Sequence, residues 1–168
     1  EVTSGRRPLI VNCGSGATFG RSWRRAGRAT PSHSTLGIEG YSSSRLGGAE
    51  QQRDNDAELL IDTPNEVGFE RAEVEGGTRV GVGHDGYIAT HGLTHVRTLH
   101  IGFDGRALRG EDVLMARADS DKRKFDLMFD KSRLKGIPYS VRFHLHPHVD
   151  ATLDMNGTAV SMALKSGE

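Results

Sequence analysis

Along most of this chain single apolar residues alternate with polar ones, and a period of two is the period of a β-strand. The alternation predicts strands at "RPLIVN" (7–12), "STLGIE" (34–39), "NEVGFERAEVE" (65–75), "TRVGVGH" (78–84) and "LTHVRTLHIG" (93–102). It continues at "GEDVLMA" (110–116), "YSVRFHL" (139–145), "VDATLD" (149–154) and "TAVSMAL" (158–164). Asp-Gly in "FDGRA" and Asn-Gly in "MNGTA" fall between alternating runs, and both dipeptides tolerate the positive φ that tight hairpins need. Helix-length amphipathic patterns are scarce. The charge-dense stretch 117–136 reads as a surface loop with one helical turn. An all-β fold follows, a large antiparallel β-sandwich over residues 1–168.

Composition narrows the class. The chain has 168 residues, 35% hydrophobic and 26% charged, which suits one globular domain with a real core. No apolar run approaches the roughly 20 residues of a membrane-spanning helix, and no leader is visible. The start at Glu1 and the end at "LKSGE" read as a piece of a longer protein. The single cysteine, Cys13, excludes an internal disulfide and a multi-cysteine zinc site. With 22 basic and 22 acidic residues the chain lacks the basic footprint of a nucleic-acid binder. The charge is uneven, however. Residues 1–28 carry six arginines, Arg28 the last, against Glu1 alone, whereas residues 50–75 carry nine acids against Arg53 and Arg71. A basic arm suits an anionic ligand, because planar guanidinium groups match carboxylates and sulfates; the alternative is solvated surface charge paired within the fold.

The histidines add candidate chemistry. Read as one strand, "YSVRFHLHP" puts Val141, Phe143 and Leu145 on one face and Arg142, His144 and His146 on the other. Imidazoles two residues apart on a strand stand roughly 6–7 Å apart, within reach of one metal ion or one anionic substrate; an exposed polar face is the plainer reading. "GHDGY" (83–87) reads as a turn presenting His84 and Tyr87, with His91 nearby. His95 and His100 fall on opposite faces of one strand and show no matching partner.

Taken together, "IVNCG", "WRRAGRATPSHSTLGIEG", "HDGYIATHGLTHVRTLHI", "LRGEDVL" and "VRFHLHP" resemble the C-terminal β-domain of the heparinase II/III-like proteins, in order and over most of the chain. The resemblance implies an N-terminal α/α toroid joined to an antiparallel β-sandwich, in a bacterial polysaccharide lyase of the cell envelope or periplasm. Such lyases cleave uronic-acid glycans, glycosaminoglycans among them, by β-elimination between the two domains. It further implies that "His33-Ser34-Thr35" matches a His-Asn-Thr-like triplet whose histidine holds a divalent metal such as zinc, with Asn12 standing where the family has an aspartate. Arg28, His33, His84, Arg142 and His144 are then the candidate contacts to an anionic polysaccharide. The family's Asn, His and Tyr catalytic groups belong to the toroid, and residues 13–32 contain Trp23 but no tyrosine, so the domain alone is expected to be inactive. Two alternatives stand beside the lyase reading: a non-catalytic carbohydrate-binding sandwich, against which an aromatic content of 6% weighs, and a structural domain that supports the toroid.

Overall fold

The alternating runs become strands, and the turn dipeptides between them become hairpins. The computed structural model describes residues 1–47, 59–133 and 135–165, so Glu50, Arg53, Asp54, Asp56 and Glu58 of the acidic stretch lie outside the described residues. By their contacts the residues fall into two units, Glu1–Thr35 with Val141–Glu168, and Leu36–Ser140.

The first unit opens with β1 (Val2–Ser4) and β2 (Arg7–Val11), and β2 continues into a three-stranded sheet with β11 (His144–Leu145) on its other side. Between β2 and Thr35 come two 3-10 turns, Ala17–Phe19 and Thr30–Ser32, on either side of the short helix α1 (Arg21–Gly27). Gly16, at φ 63°, lies so close under α1 that any side chain there would run into the Trp23 carbonyl. A hairpin of β12 (Val149–Asp154) and β13 (Ala159–Leu164) turns at Met155–Gly157, where Asn156 has φ 56°, as its Asn-Gly pair predicts.

The second unit is built on a meander of β6 (Val67–Val74), β7 (Gly77–Tyr87), β8 (Leu93–Gly102) and β9 (Leu108–Met115), antiparallel and in that order. The one-turn helix α2 (Ile88–His91) joins β7 to β8, and the Asp104-Gly105 turn joins β8 to β9. Two small pairs complete the strands: β3 (Leu36–Ile38) with β10 (Tyr139–Val141), and β4 (Arg45–Leu46) with β5 (Leu60–Asp62). Ile38, Tyr87 and Leu93 form the core, covered by Leu114, Ala116, Phe125 and Ile137. The fold is all-β, as the period of two predicts.

Two expectations need correction. Residues 117–136 are not a loop: they contain α3 (Asp119–Lys131). Phe125 and Phe129, one turn apart, stack at 6.0 Å on its inner side, and the many charges of the stretch are its solvated faces. Nor is 139–145 one strand. Tyr139–Val141 pairs with β3 and His144–Leu145 with β2, because the Arg142 N–H goes to the Thr35 carbonyl at 3.0 Å and the His144 N–H to Ser34 Oγ at 2.9 Å. The chain changes sheets at Arg142–Phe143, which ends the simple alternation of faces.

Candidate functional site

In the first unit a polar bracket holds the segment around His33. Asn12 Oδ1 accepts the Ser34 N–H at 2.9 Å, and Asn12 Nδ2 donates to the Glu1 carboxylate at 3.2 Å. Ser34 Oγ donates to the Val11 carbonyl at 2.6 Å while accepting the His144 N–H. Residues 33–35 and 142–144, remote in sequence, are thereby stitched together, and three of the candidate contacts, His33, Arg142 and His144, share one hydrogen-bonded frame. Arg28 caps the C-terminal end of α1, five residues before His33. His84 lies in the second unit and belongs to a different cluster.

The imidazole of His144 is fixed at both nitrogens. Nε2 stands 2.9 Å from the Pro31 carbonyl, which only accepts, so Nε2 carries the proton. Nδ1 is left to accept from the Cys13 thiol at 3.4 Å. His146 takes a separate partner: its ring meets His148 edge-on at 4.8 Å, and its Nδ1 accepts the His148 N–H at 3.2 Å. The expected pairing of His144 with His146 on one face is therefore not formed.

Two aromatic rings, Phe19 and Trp23, stand beside the arginines. Phe19 is 74% and Trp23 64% exposed, with ring centroids 6.2 Å apart. Exposed rings four residues apart next to Arg21, Arg24 and Arg25 combine an apolar platform with positive charge.

The metal expected at His33 finds little support in the neighbouring donors. The amide oxygen of Asn12 is engaged by Ser34, and among the described residues no group of three His, Cys, Asp or Glu side chains could hold a metal ion. Among the described residues the donors do not fit a complete site.

The second unit buries a chain of polar groups on one face of its meander. His84 and His95 are cross-strand partners on β7 and β8, with Nε2 of the first 3.4 Å from Nδ1 of the second. His95 Nε2 lies 2.7 Å from Asp112 Oδ1, and Arg97 clamps the same carboxylate through Nε at 2.8 Å and Nη2 at 2.9 Å. The Gly86 N–H donates to His84 Nδ1 at 3.2 Å. Proton accounting is then consistent with two neutral imidazoles: Gly86 to His84, His84 to His95, His95 to Asp112. Burial, and secondly the neighbouring His95, lower the His84 pKa against a smaller opposite pull from Asp85. Burial pushes the Asp112 carboxyl up, but hydrogen bonds from Arg97 and His95, with the charge of Arg97, outweigh it and hold it below its ordinary value. His95 thus has the partners that its strand position alone did not reveal. Tyr87, expected to be presented on a turn, is fully buried, and its hydroxyl donates to the Leu36 carbonyl at 3.4 Å. Every nitrogen in the His84–His95 pair is occupied, so the cluster reads as a structural network that fixes the meander.

Comparison with known proteins places the chain. FtsZ-localized protein C of Caulobacter vibrioides (strain NA1000 / CB15N) is 29% identical over 167 residues, which cover 95% of this chain and 26% of that protein. The chain therefore spans about a quarter of the length of this curated relative. No solved structure matches it. The family model described as "Heparinase II/III-like, C-terminal" matches residues 1–168, from the first residue to the last, and the chain belongs to that family.

Proposed function

We propose that this chain is the glycan-facing β-domain of a polysaccharide lyase that cleaves uronic-acid polymers by β-elimination, in partnership with an N-terminal α/α toroid. The observation that carries the reading is the bracket of Asn12 and Ser34, which joins the His33 segment to Arg142 and His144 in a family of heparinase-like C-terminal domains. Charge agrees with it. The first unit holds eight basic residues against four acidic ones, although the whole chain is neutral. In the elimination a base removes the proton at C5 of the uronate, the C4–C5 double bond forms, the C4–O bond breaks, and the leaving oxygen takes a proton. Arg28 and Arg142 supply positive charge to the carboxylate, which eases formation of the carbanion-like state, while His33 and His144 offer hydrogen bonds and Trp23 a stacking surface for a sugar ring. The base and the acid come from the toroid. A cell-envelope or periplasmic address goes with this reading.

The test is production of unsaturated uronate from heparan sulfate or alginate by the intact protein, with none from residues 1–168 alone. Product from the isolated domain would require a complete catalytic site within it, and no product or binding from the intact protein would remove the lyase reading. The relative's name supports a second reading, in which the domain directs the protein to FtsZ and not to a glycan. Co-sedimentation of the domain with FtsZ polymers, together with silence towards glycans, is the outcome that favours it.

A further inference from the structure

The hairpin of β12 and β13 has two unlike faces. Its registered pairs put Val149 with Leu164, Ala151 with Met162 and Leu153 with Val160 on one side, and the polar Asp150, Thr152, Asp154 and Ser161 on the other. The polar side is satisfied by its own residues and by solvent: Lys165 pairs with Asp150 at 3.2 Å, and Ser161 donates to Asp154. The apolar side is covered only at its base. Val149 is buried there, but exposure reaches 45% at Met162, 50% at Val160 and 72% at Leu153.

A second observation concerns the stability of the hairpin itself. β12 and β13 pair only with each other, and no third strand joins them among the described residues. Two strands in water are marginal unless an apolar face packs against something, so a hairpin that holds this face open lacks the contact that would stabilise it. The face presents no charged or hydroxyl side chain, and such a surface suits permanent burial better than reversible encounter.

We propose that this face seats the part of the protein that precedes Glu1, an apolar segment of which lies across Leu153, Val160 and Met162. The matched relative supplies the length: 167 aligned residues are 26% of it, and the family is described as C-terminal, so the greater part of such a chain lies ahead of the domain. Covalent linkage makes the contact intramolecular, which favours it over a second copy at ordinary protein concentrations. A lipid surface is the poorer occupant, because neither strand carries a lysine or arginine to meet anionic headgroups. The contact does not depend on glycan binding, so its failure and the failure of the lyase reading are distinguishable.

The test is oxidation of the intact protein by dilute hydrogen peroxide, with the sulfoxide of Met162 followed by peptide mass spectrometry. Met162 is expected to react at least about fivefold more slowly than N-acetylmethionine amide, and as slowly after a large dilution of the protein. Leu153→Lys places a charge in the covered face and raises the Met162 rate by about threefold or more, whereas Thr152→Lys on the solvated face leaves it unchanged. A faster Met162 rate than this in the folded wild-type protein overturns the proposal, because it is the rate of a side chain left open. So does an equal response to the two lysine variants. Protection that is lost on dilution gives the face to a second copy, and protection that appears only with added phosphatidylglycerol vesicles gives it to lipid; either result overturns the proposal as well.

Discussion

Ser34 shows how much one hydroxyl organises. Its Oγ donates to Val11 and accepts from His144, and its N–H goes to Asn12, so three segments of the first unit meet on one residue. Ser34→Ala removes an acceptor and a donor at a half-buried position, and thermal or denaturant unfolding is expected to show a loss of about 1–3 kcal/mol. Asn12 was legible as a departure from an aspartate, but its role was not, because its partner lies 22 residues away in a turn whose geometry no periodicity encodes. Titration is also decided at single residues. The His84 and His91 pKa values lie below their ordinary 6.5, that of His91 through burial alone. In acid the unfolded chain therefore takes up protons before the folded one does. Their contribution is complete above about pH 6.5 and is lost as the pH falls towards their folded values. Asp112 acts lower, below its ordinary 3.8, where its stabilisation fades as the pH drops through its depressed folded value. Melting temperature measured from pH 7.5 to 3 should fall in two stages, and His84→Gln should shrink the first without moving the second.

Among the elements, the long hairpins were the most readable and α3 the least. β8 occupies residues 93–102 as its alternation predicts, since a half-buried strand in a meander writes its faces directly into sequence. A hairpin centred on Asp104-Gly105 sets Arg97 opposite Asp112, so that ion pair was within reach of the turn signal once register was drawn. Helix α3 stayed hidden because its apolar stripe is narrow and its N-terminus lacks a Ser, Thr, Asp or Asn cap. Ala118 holds that position. The Asp121 carboxylate accepts the Ala118 N–H at 3.0 Å, but alanine offers no oxygen in return, so half of a capping box is present. Ala118→Ser supplies the missing acceptor and should raise stability by about 1 kcal/mol, read from chemical denaturation. An unchanged midpoint would mean that the first turn of α3 is held by tertiary contacts and not by its cap. Strand β11 illustrates the opposite failure. The sequence 139–145 alternates cleanly, yet the chain exchanges one partner strand for another within it, a decision made by side chains at Ser34 and backbone at Thr35 that no local pattern contains.

At the scale of the molecule, the chain divides its charge between two units. Residues 1–35 and 141–168 carry the basic excess, the exposed Phe19–Trp23 pair and the His33–Arg142–His144 frame, while the acidic excess belongs to residues 36–140. A neutral total therefore concealed a basic unit, because the segments that make it up are separated by more than a hundred residues of sequence. On the proposed reading, the frame around His33 meets a uronate carboxylate. Its most direct test is calorimetric titration of a uronic-acid oligosaccharide into the intact protein and its His33→Ala variant, with the melting temperature of each recorded. The variant is expected to bind roughly tenfold more weakly, the value of one charge-assisted hydrogen bond, and to melt with the wild type. A variant that melts early while binding as tightly as the wild type would make His33 a packing residue and remove it from the glycan surface.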